Sequence, residues 1–380
     1  MLERVYADNY RCLVNFEWKP GRTQLVLGLN GAGKSTALDV LTLLRDYSIR
    51  GMPCPDRLGP GTTTRWQGVT TQRFELDWRG PDGLFRYVLA VQGLTSPADP
   101  GQSQVKVIQE SVECEGGSLF RFEDGTVHLH NDRHEDKVQF PFDWRRSALA
   151  IVEPRKDNTK LTAFKRWLGS ILHVQIDPWA MTGRSERESG EPSRNLSNFA
   201  DWYRHLLLEK GGAVTKAIED LRAIFPGLQS LNAREAGQNV RVLEATFSAP
   251  LGHASTSSPD TMSQYFDDLS EGQRTLVALY VILHCAVEAN RTLMIDEPDN
   301  FVALAEIQPW LLRLLDLVEE RGAQVILVSH HPEILNQMAA NGGVVFDRPG
   351  GGPTRVLPFA PSGEQALTPA EIIARGWERE

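Results

Sequence analysis

Cysteine is scarce in this sequence, and the four present, Cys12, Cys54, Cys114 and Cys285, form no C-x-x-C pair. That excludes a zinc ribbon or a disulfide framework and predicts ordinary buried thiols. Long apolar runs are also missing: the longest, Leu276 to Val287, is interrupted by His284 and is too short for a bilayer. The opening MLERVYADNYRCLVNFEWKP mixes charged and apolar residues and lacks the continuous apolar stretch of a secretory signal, so a cytosolic protein is expected. Nor is there an excess of basic charge. Forty Lys and Arg against 49 Asp and Glu give a net charge of −9, which argues against a general polyanion coater but leaves room for a local basic patch. No repeat at a fixed period is visible. What is present is a globular composition, 41% hydrophobic and 23% charged, in 380 residues, enough for roughly two to three structural units.

The apolar pattern changes character along the chain. Residues 2 to 28 read as strands, with VYADNY and CLVNFEW half-alternating and TQLVLG a short apolar run. GKSTALDVLTLLRDY then places Ala37, Val40, Leu41 and Leu44 on one helical face, ended by the Gly and Pro of RGMPCPDRLGPG. From 65 to about 142, period-two runs separated by GPDG, SPADPG, EGG and DG turns predict an antiparallel sheet. Residues 145 to 230 turn helical, in KLTAFKRWLGSIL and NFADWYRHLLLEKGGAVTKAIEDLRAIFP, with the polar loop TGRSERESGEPSRN between them expected to be mobile. After the strand VRVLEATF and the flexible-looking GHASTSSPDTMS, helices alternate with the apolar strands RTLMID, QVILVSH and GVVFDR, the signature of a parallel sheet with crossover helices. The expected fold is therefore one α/β unit whose sheet draws on both ends of the chain, carrying an inserted β section and a helical section. The divisions are 1–64, 65–145, 146–240, 241–347 and a tail, 348–380.

GLNGAGKST, residues 28–36, fits G-x-x-x-x-G-K-[ST] after an apolar strand and at the start of a helix. Gly28, Gly31 and Gly33 let backbone amides point inward at phosphates, at the positive end of the helix. Lys34 is placed to neutralise the β- and γ-phosphates and Ser35 to offer its hydroxyl to magnesium. Asn30, Gly31, Ala32, Gly33, Lys34, Ser35 and Thr36 are the candidate nucleotide-binding run. RTLMIDEPDN ends an apolar strand in two acids: Asp296 to hold magnesium, Glu297 to orient and deprotonate water.

FDDLSEGQRTLVALY carries LSEGQ before an amphipathic helix, with Ser270 as N-cap. Here the chain resembles the ABC-type ATPases, whose LSGGQ-like loop presents serine and glycine to a γ-phosphate bound by the other subunit. The resemblance places Ser270, Gly272 and Gln273 in that loop. His330, 34 residues beyond Asp296 at the end of the next apolar strand, resembles the switch histidine of the same superfamily; His331 is the weaker match. Within it the chain resembles the soluble AAA family ATPases related to the SMC, recombination and overcoming-lysogenisation-defect proteins, through YADNYRCLVNFEW, the Asn30-containing phosphate loop, DEPDN and SHHPEIL in that order.

The resemblance covers about residues 1–50 and 145–345. It implies an α/β P-loop ABC-type ATPase head, ATP and Mg2+ as cofactors, and nucleotide contacts by Arg11 and Asn30. It also implies a head-to-tail homodimer or higher oligomer that regulates a separate effector, a nuclease among the candidates, in anti-phage defence or DNA maintenance, away from membranes.

Three departures stand out. The glutamine that senses magnesium in the family has no counterpart in ALAIVEPRKDN, which offers Glu153. DEPDNFVALAEIQP lacks the LHP that usually follows the second acid, leaving the contacts of Asp299 and Asn300 open. No long heptad arm or C-x-x-C hook is present, and the roughly 33 residues after Asp347 are too few for the nuclease domain of overcoming-lysogenisation-defect proteins. Finally, seven bases between Arg145 and Arg166, interleaved with Trp144, Phe164 and Trp167, read either as a solvated helical face with its aromatics packed inward or as a nucleic-acid or partner surface. A nonenzymatic ATP-bound scaffold and a transporter's nucleotide-binding subunit are the alternative functions.

Overall fold

The computed structural model describes residues 1–54, 56–95, 103–248, 261–359 and 367–375. The SPADPG turn, most of GHASTSSPDTMS and much of the tail lie outside them. Every residue of the central strands Thr292–Asp296 and Gln324–Val328 is buried, as strands covered on both faces require. They belong to a six-stranded sheet ordered Leu172–Gln175, Thr292–Asp296, Gln324–Val328, Thr23–Leu27, Gly343–Asp347 and Arg355–Pro358, parallel except for its last pair. Both ends of the chain meet here, as the pattern predicts. One strand does not come from an end: Leu172–Gln175 arises from the section read as helical.

Alternation along these strands divides the interior in two. Leu25, Leu27, Leu293, Ile295, Val325 and Leu327 enter one core, with the helices Phe199–Glu209, Gly211–Arg222, Glu271–Cys285, Leu304–Arg321 and Pro332–Gly342. Val26, Met294, Ile326 and Val328 enter the other, with the helices Lys34–Ser48 and Thr159–Ser170. Side chains two apart on a strand share a face, so one short strand serves both cores. The helix Glu271–Cys285 is buried at every position from Thr275 to Cys285, and a helix apolar on all sides must be interior.

The second core is closed by an eight-stranded antiparallel sheet. The strands Phe16–Trp18 and Leu2–Asp8 pair into the six that run from Thr71–Gly80 to Asp136–Pro141, so the period-two section extends a sheet begun at the amino terminus. Gln324 joins the two sheets: its amide donates to the carbonyls of Leu2 and Gly21 and accepts from the Leu2 N–H and the Thr292 hydroxyl. A third sheet of Arg184–Ser185, Val240–Ser248, Leu228–Gly237 and Thr261–Tyr265 lies beyond the helices.

Phe164 and Trp167 point inward, packing on Trp78, Phe85 and Tyr87, so the end of the basic stretch, in the helix Thr159–Ser170, has its aromatics in the core, while Arg145, Arg146, Arg155 and Lys156 precede that helix. Arg145, Arg146, Arg155, Lys156 and Arg166 stay exposed. The loop expected to be mobile is tied down: Asn198 donates to Ser189 and Glu191 and accepts from the Ser193 N–H, and Asp201 accepts from the Glu186 N–H.

Fully buried Glu110 accepts from Tyr87, Ser147 and the N–H groups of Ala148 and Leu149. Burial pushes its carboxyl above the usual range while these bonds oppose the shift. Through Tyr87 and Ser48 the network reaches the helix that opens at Lys34. Glu110→Ala strands several buried donors, and we expect it to lower unfolding free energy by about 2 kcal/mol, measured as a fall in urea midpoint at unchanged slope.

Candidate functional site

Three loops at the carboxyl ends of parallel strands build a cavity of about 290 Å³, where open α/β sheets bind ligands. Its wall holds Asn30, Gly31, Ala32, Gly33, Lys34, Ser35 and Thr36, the whole predicted run, with Asp296 and Glu297 opposite. The loop's shape depends on glycine. Gly33 has φ 97°, and a Cβ there would lie 2.4 Å from Thr354 Oγ1 and 2.9 Å from Cys12 Sγ. Thr354 donates to the Ala32 carbonyl, and Arg348 donates to that of Gly31. The segment read as tail thus buttresses the phosphate loop.

Lys34 Nζ donates to the Gly28 carbonyl at 2.6 Å and lies 3.4 Å from His330 Nε2. Burial lowers its pKa, against the pull of Asp296 and Glu297. Partial desolvation, then the Lys34 charge, likewise holds His330 below its ordinary value, which favours a neutral ring. His331 instead caps the helix Pro332–Gly342, accepting from the Glu333 N–H.

Ser35 Oγ donates to Asp296 Oδ2 at 3.3 Å. Asp296 is 3% exposed, and burial, then the Glu297 charge, raises its pKa. A desolvated carboxylate beside a hydroxyl and a second acid suits a hard divalent cation, which would complete its oxygen shell from phosphates and water. Glu297 sits at φ 50°, a conformation costly for any residue that carries a Cβ and frequent at functional sites. Asn300 Nδ2 donates to Glu297 Oε2 at 2.7 Å, and Ser329 Oγ donates to Asp299 Oδ1 at 2.6 Å. In this segment, where LHP is missing, Asn300 holds the Glu297 carboxylate and Asp299 anchors Ser329 at the strand end before His330.

Glu153 does not line the cavity; it is exposed, its carbonyl accepts from Asn158 and its charge acts on Lys165. Gln175 lines the cavity instead, paired in register with Asp296. The signal was its position at the end of LHVQ, a strand of four residues hidden behind a helix. Arg348 and Cys12 are further wall residues that sequence patterns did not single out. Arg348 lies 5.6 Å over the Trp66 ring, and both border an adjoining hollow entered past Thr36. Arg11 lines that hollow rather than the phosphate loop, its Nη1 bonded to Asp39.

Ser270, Gly272 and Gln273 stand outside the cavity of their own chain. Ser270 and Gln273 form a reciprocal capping box. Gly272 has a reason within the chain as well, since a Cβ there would meet the Phe301 carbonyl at 2.6 Å.

Residues 253–336 match the family described as "AAA domain, putative AbiEii toxin, Type IV TA system". Among solved structures, an SMC head bound to the C-terminal winged-helix domain of ScpA aligns over 94% of this chain and 97% of its own at 12% identity, TM-score 0.52. The SMC head domain from Thermotoga maritima aligns over 94% and 99% at 12% identity, TM-score 0.45. Comparison with curated proteins gave no match. Residues 253–336 therefore carry the pattern of this AAA domain, on an α/β body with the fold of SMC ATPase heads.

Proposed function

We propose that the chain is a magnesium-dependent ATPase whose nucleotide state closes and opens a head-to-tail dimer, and that this switch regulates a separate effector acting on nucleic acid in bacterial defence. The observation that carries the reading is the convergence of Lys34, Ser35, Asp296, Glu297 and Gln175 on one cavity. Lys34 and the loop amides bind phosphate, Ser35 and Asp296 hold the cation, which supplies charge neutralisation when bound, and Glu297 takes the proton of the attacking water. Gln175, beside Asp296, is assigned to the glutamine position of the family, and His330 to the γ-phosphate side of Lys34.

A dimer is supported by the rim. The loops that carry the site also expose Leu29 at 63%, Trp179 at 72% and Phe301 at 52%, apolar surface that closure would cover. The exposed N-cap Ser270, unused by its own cavity, is the surface that would complete the partner's site. A defence role is supported by the toxin–antitoxin description of the matching domain, and a docked effector by the ScpA domain on the SMC head. Among the described residues no helix is long and apolar enough to cross a membrane.

The test is complementation. Lys34→Ala chains and Ser270→Arg chains should each be inactive alone, and mixed heterodimers should regain ATP turnover at one of two composite sites. Ser270 is the residue to change, because altering Gly272 would also disturb Phe301. Failure of verified heterodimers to regain activity would overturn the trans arrangement.

A further inference from the structure

Behind the phosphate-loop helix lies a second hollow, of about 340 Å³, that shares no lining residue with the phosphate-loop cavity. Arg11, Arg45, Arg57 and Arg194 converge on it against Asp39 and Asp46, leaving two positive charges in excess. The aspartates do not exhaust the arginines. Among the described residues Arg11 and Arg194 each hydrogen-bond through Nη1 alone, to the two oxygens of Asp39, while Arg45 uses Nε on Asp46 and Nη1 on the Ile171 carbonyl. Donors therefore remain on three guanidiniums, and three of the four side chains reach solvent, Arg11 at 39%, Arg57 at 30% and Arg194 at 42% exposure.

The least exposed polar group lining this hollow is His173, 3% exposed, with neither ring nitrogen hydrogen-bonded among the described residues. Burial, then Arg194, Arg45 and Arg57, hold its pKa down to about 3, so the ring is neutral and carries one N–H donor without a partner. An orphaned buried donor costs free energy unless something brought from outside accepts from it. Four guanidiniums and an N–H around one hollow match a tetrahedral oxyanion, because planar forks bind phosphate oxygens in pairs.

We propose that this hollow is a second anion site, taking a phosphate group, with Arg194, Arg11 and Arg45 on its oxygens and His173 at its floor. The phosphate belongs either to a small phosphorylated molecule or to the end of a nucleic-acid strand. The site is distinct from the ATP cavity but adjoins it, since His173 and Gln175 lie two apart on one strand and so face the same way. Moreover, the Gln175 N–H donates to the Arg194 carbonyl at 2.8 Å.

The experiment follows the ring signals of protein labelled with nitrogen-15 histidine, with His173 identified through His173→Phe. Inorganic phosphate should shift the His173 signals saturably in wild type and in Lys34→Ala alike. Arg194→Gln, a loop substitution that keeps the backbone bond to Gln175, should weaken the apparent affinity about tenfold, as loss of one charge-assisted contact does. Signals that do not move, that move equally in Arg194→Gln, or that respond only when Lys34 is intact would overturn the proposal. Lys34→Ala also separates this site from the ATP reading, because failure there leaves the His173 response untouched. A 5′-phosphorylated oligonucleotide binding more tightly than its 5′-hydroxyl counterpart identifies the strand end as the source; a nucleoside monophosphate binding as tightly as the phosphorylated strand identifies the small molecule.

Discussion

Glu297→Gln should bind ATP and magnesium as tightly as wild type yet turn over about 10²-fold more slowly or worse, the usual cost of losing a positioned general base. The reasoning is geometric before it is chemical. Asn300 holds Glu297 by donating to Oε2, and a glutamine carbonyl can accept the same bond, so the side chain stays aimed while its basicity is lost. The backbone at φ 50° is no worse for glutamine than for glutamate. Equilibrium nucleotide binding and steady-state phosphate release, measured on one preparation, separate the two effects. Wild-type turnover in the variant would remove Glu297 from the reaction. If turnover is lost while binding persists, the same variant should also trap the closed dimer.

Asp296→Asn should have opposite effects on stability and on activity. In the free protein the buried Asp296 carboxylate is penalised, which is why its pKa is raised. A raised acid pKa means that its charged form costs folding free energy above the folded pKa, and the cost disappears as pH falls below the unfolded one. Asparagine removes that cost at neutral pH, so the variant without ligand should melt at a higher temperature than wild type, with the difference shrinking in acid. With magnesium and nucleotide added the order should reverse, because wild type alone gains the linkage stabilisation of tight metal binding. Turnover in the variant should fall about 10²-fold or more, because the group stabilising charge on the transferring phosphoryl is lost with the metal. Melting curves at two pH values, with and without magnesium nucleotide, test all of this. A lower melting temperature for the free variant would show that Asp296 is held by contacts rather than merely tolerated.

The sequence alone determined whatever depends on short spacing along the chain. GLNGAGKST, RTLMIDEP and LSEGQ each join a loop to the strand or helix beside it, and local sterics and helix-start amides dictate that geometry wherever the segment is placed. All seven loop residues and both acids accordingly line one cavity. The central strands were legible for a similar reason, since a run buried on both faces is apolar throughout.

Tertiary structure decided the rest. Gln175 closes the cavity only because a four-residue strand, too short to show a period, finds Thr292–Asp296 as its neighbour. Phe164 and Trp167 could cover solvent or core until the antiparallel sheet supplied Trp78 and Phe85. Arg348 and Thr354 support a loop more than three hundred residues earlier in the chain. Arg11, Arg45, Arg57, His173 and Arg194 are scattered singly and meet only where the phosphate-loop helix crosses the edge of the sheet. Contacts between distant segments leave no periodic trace, because the free energy that selects them comes from burial and charge pairing once the chain has folded back on itself.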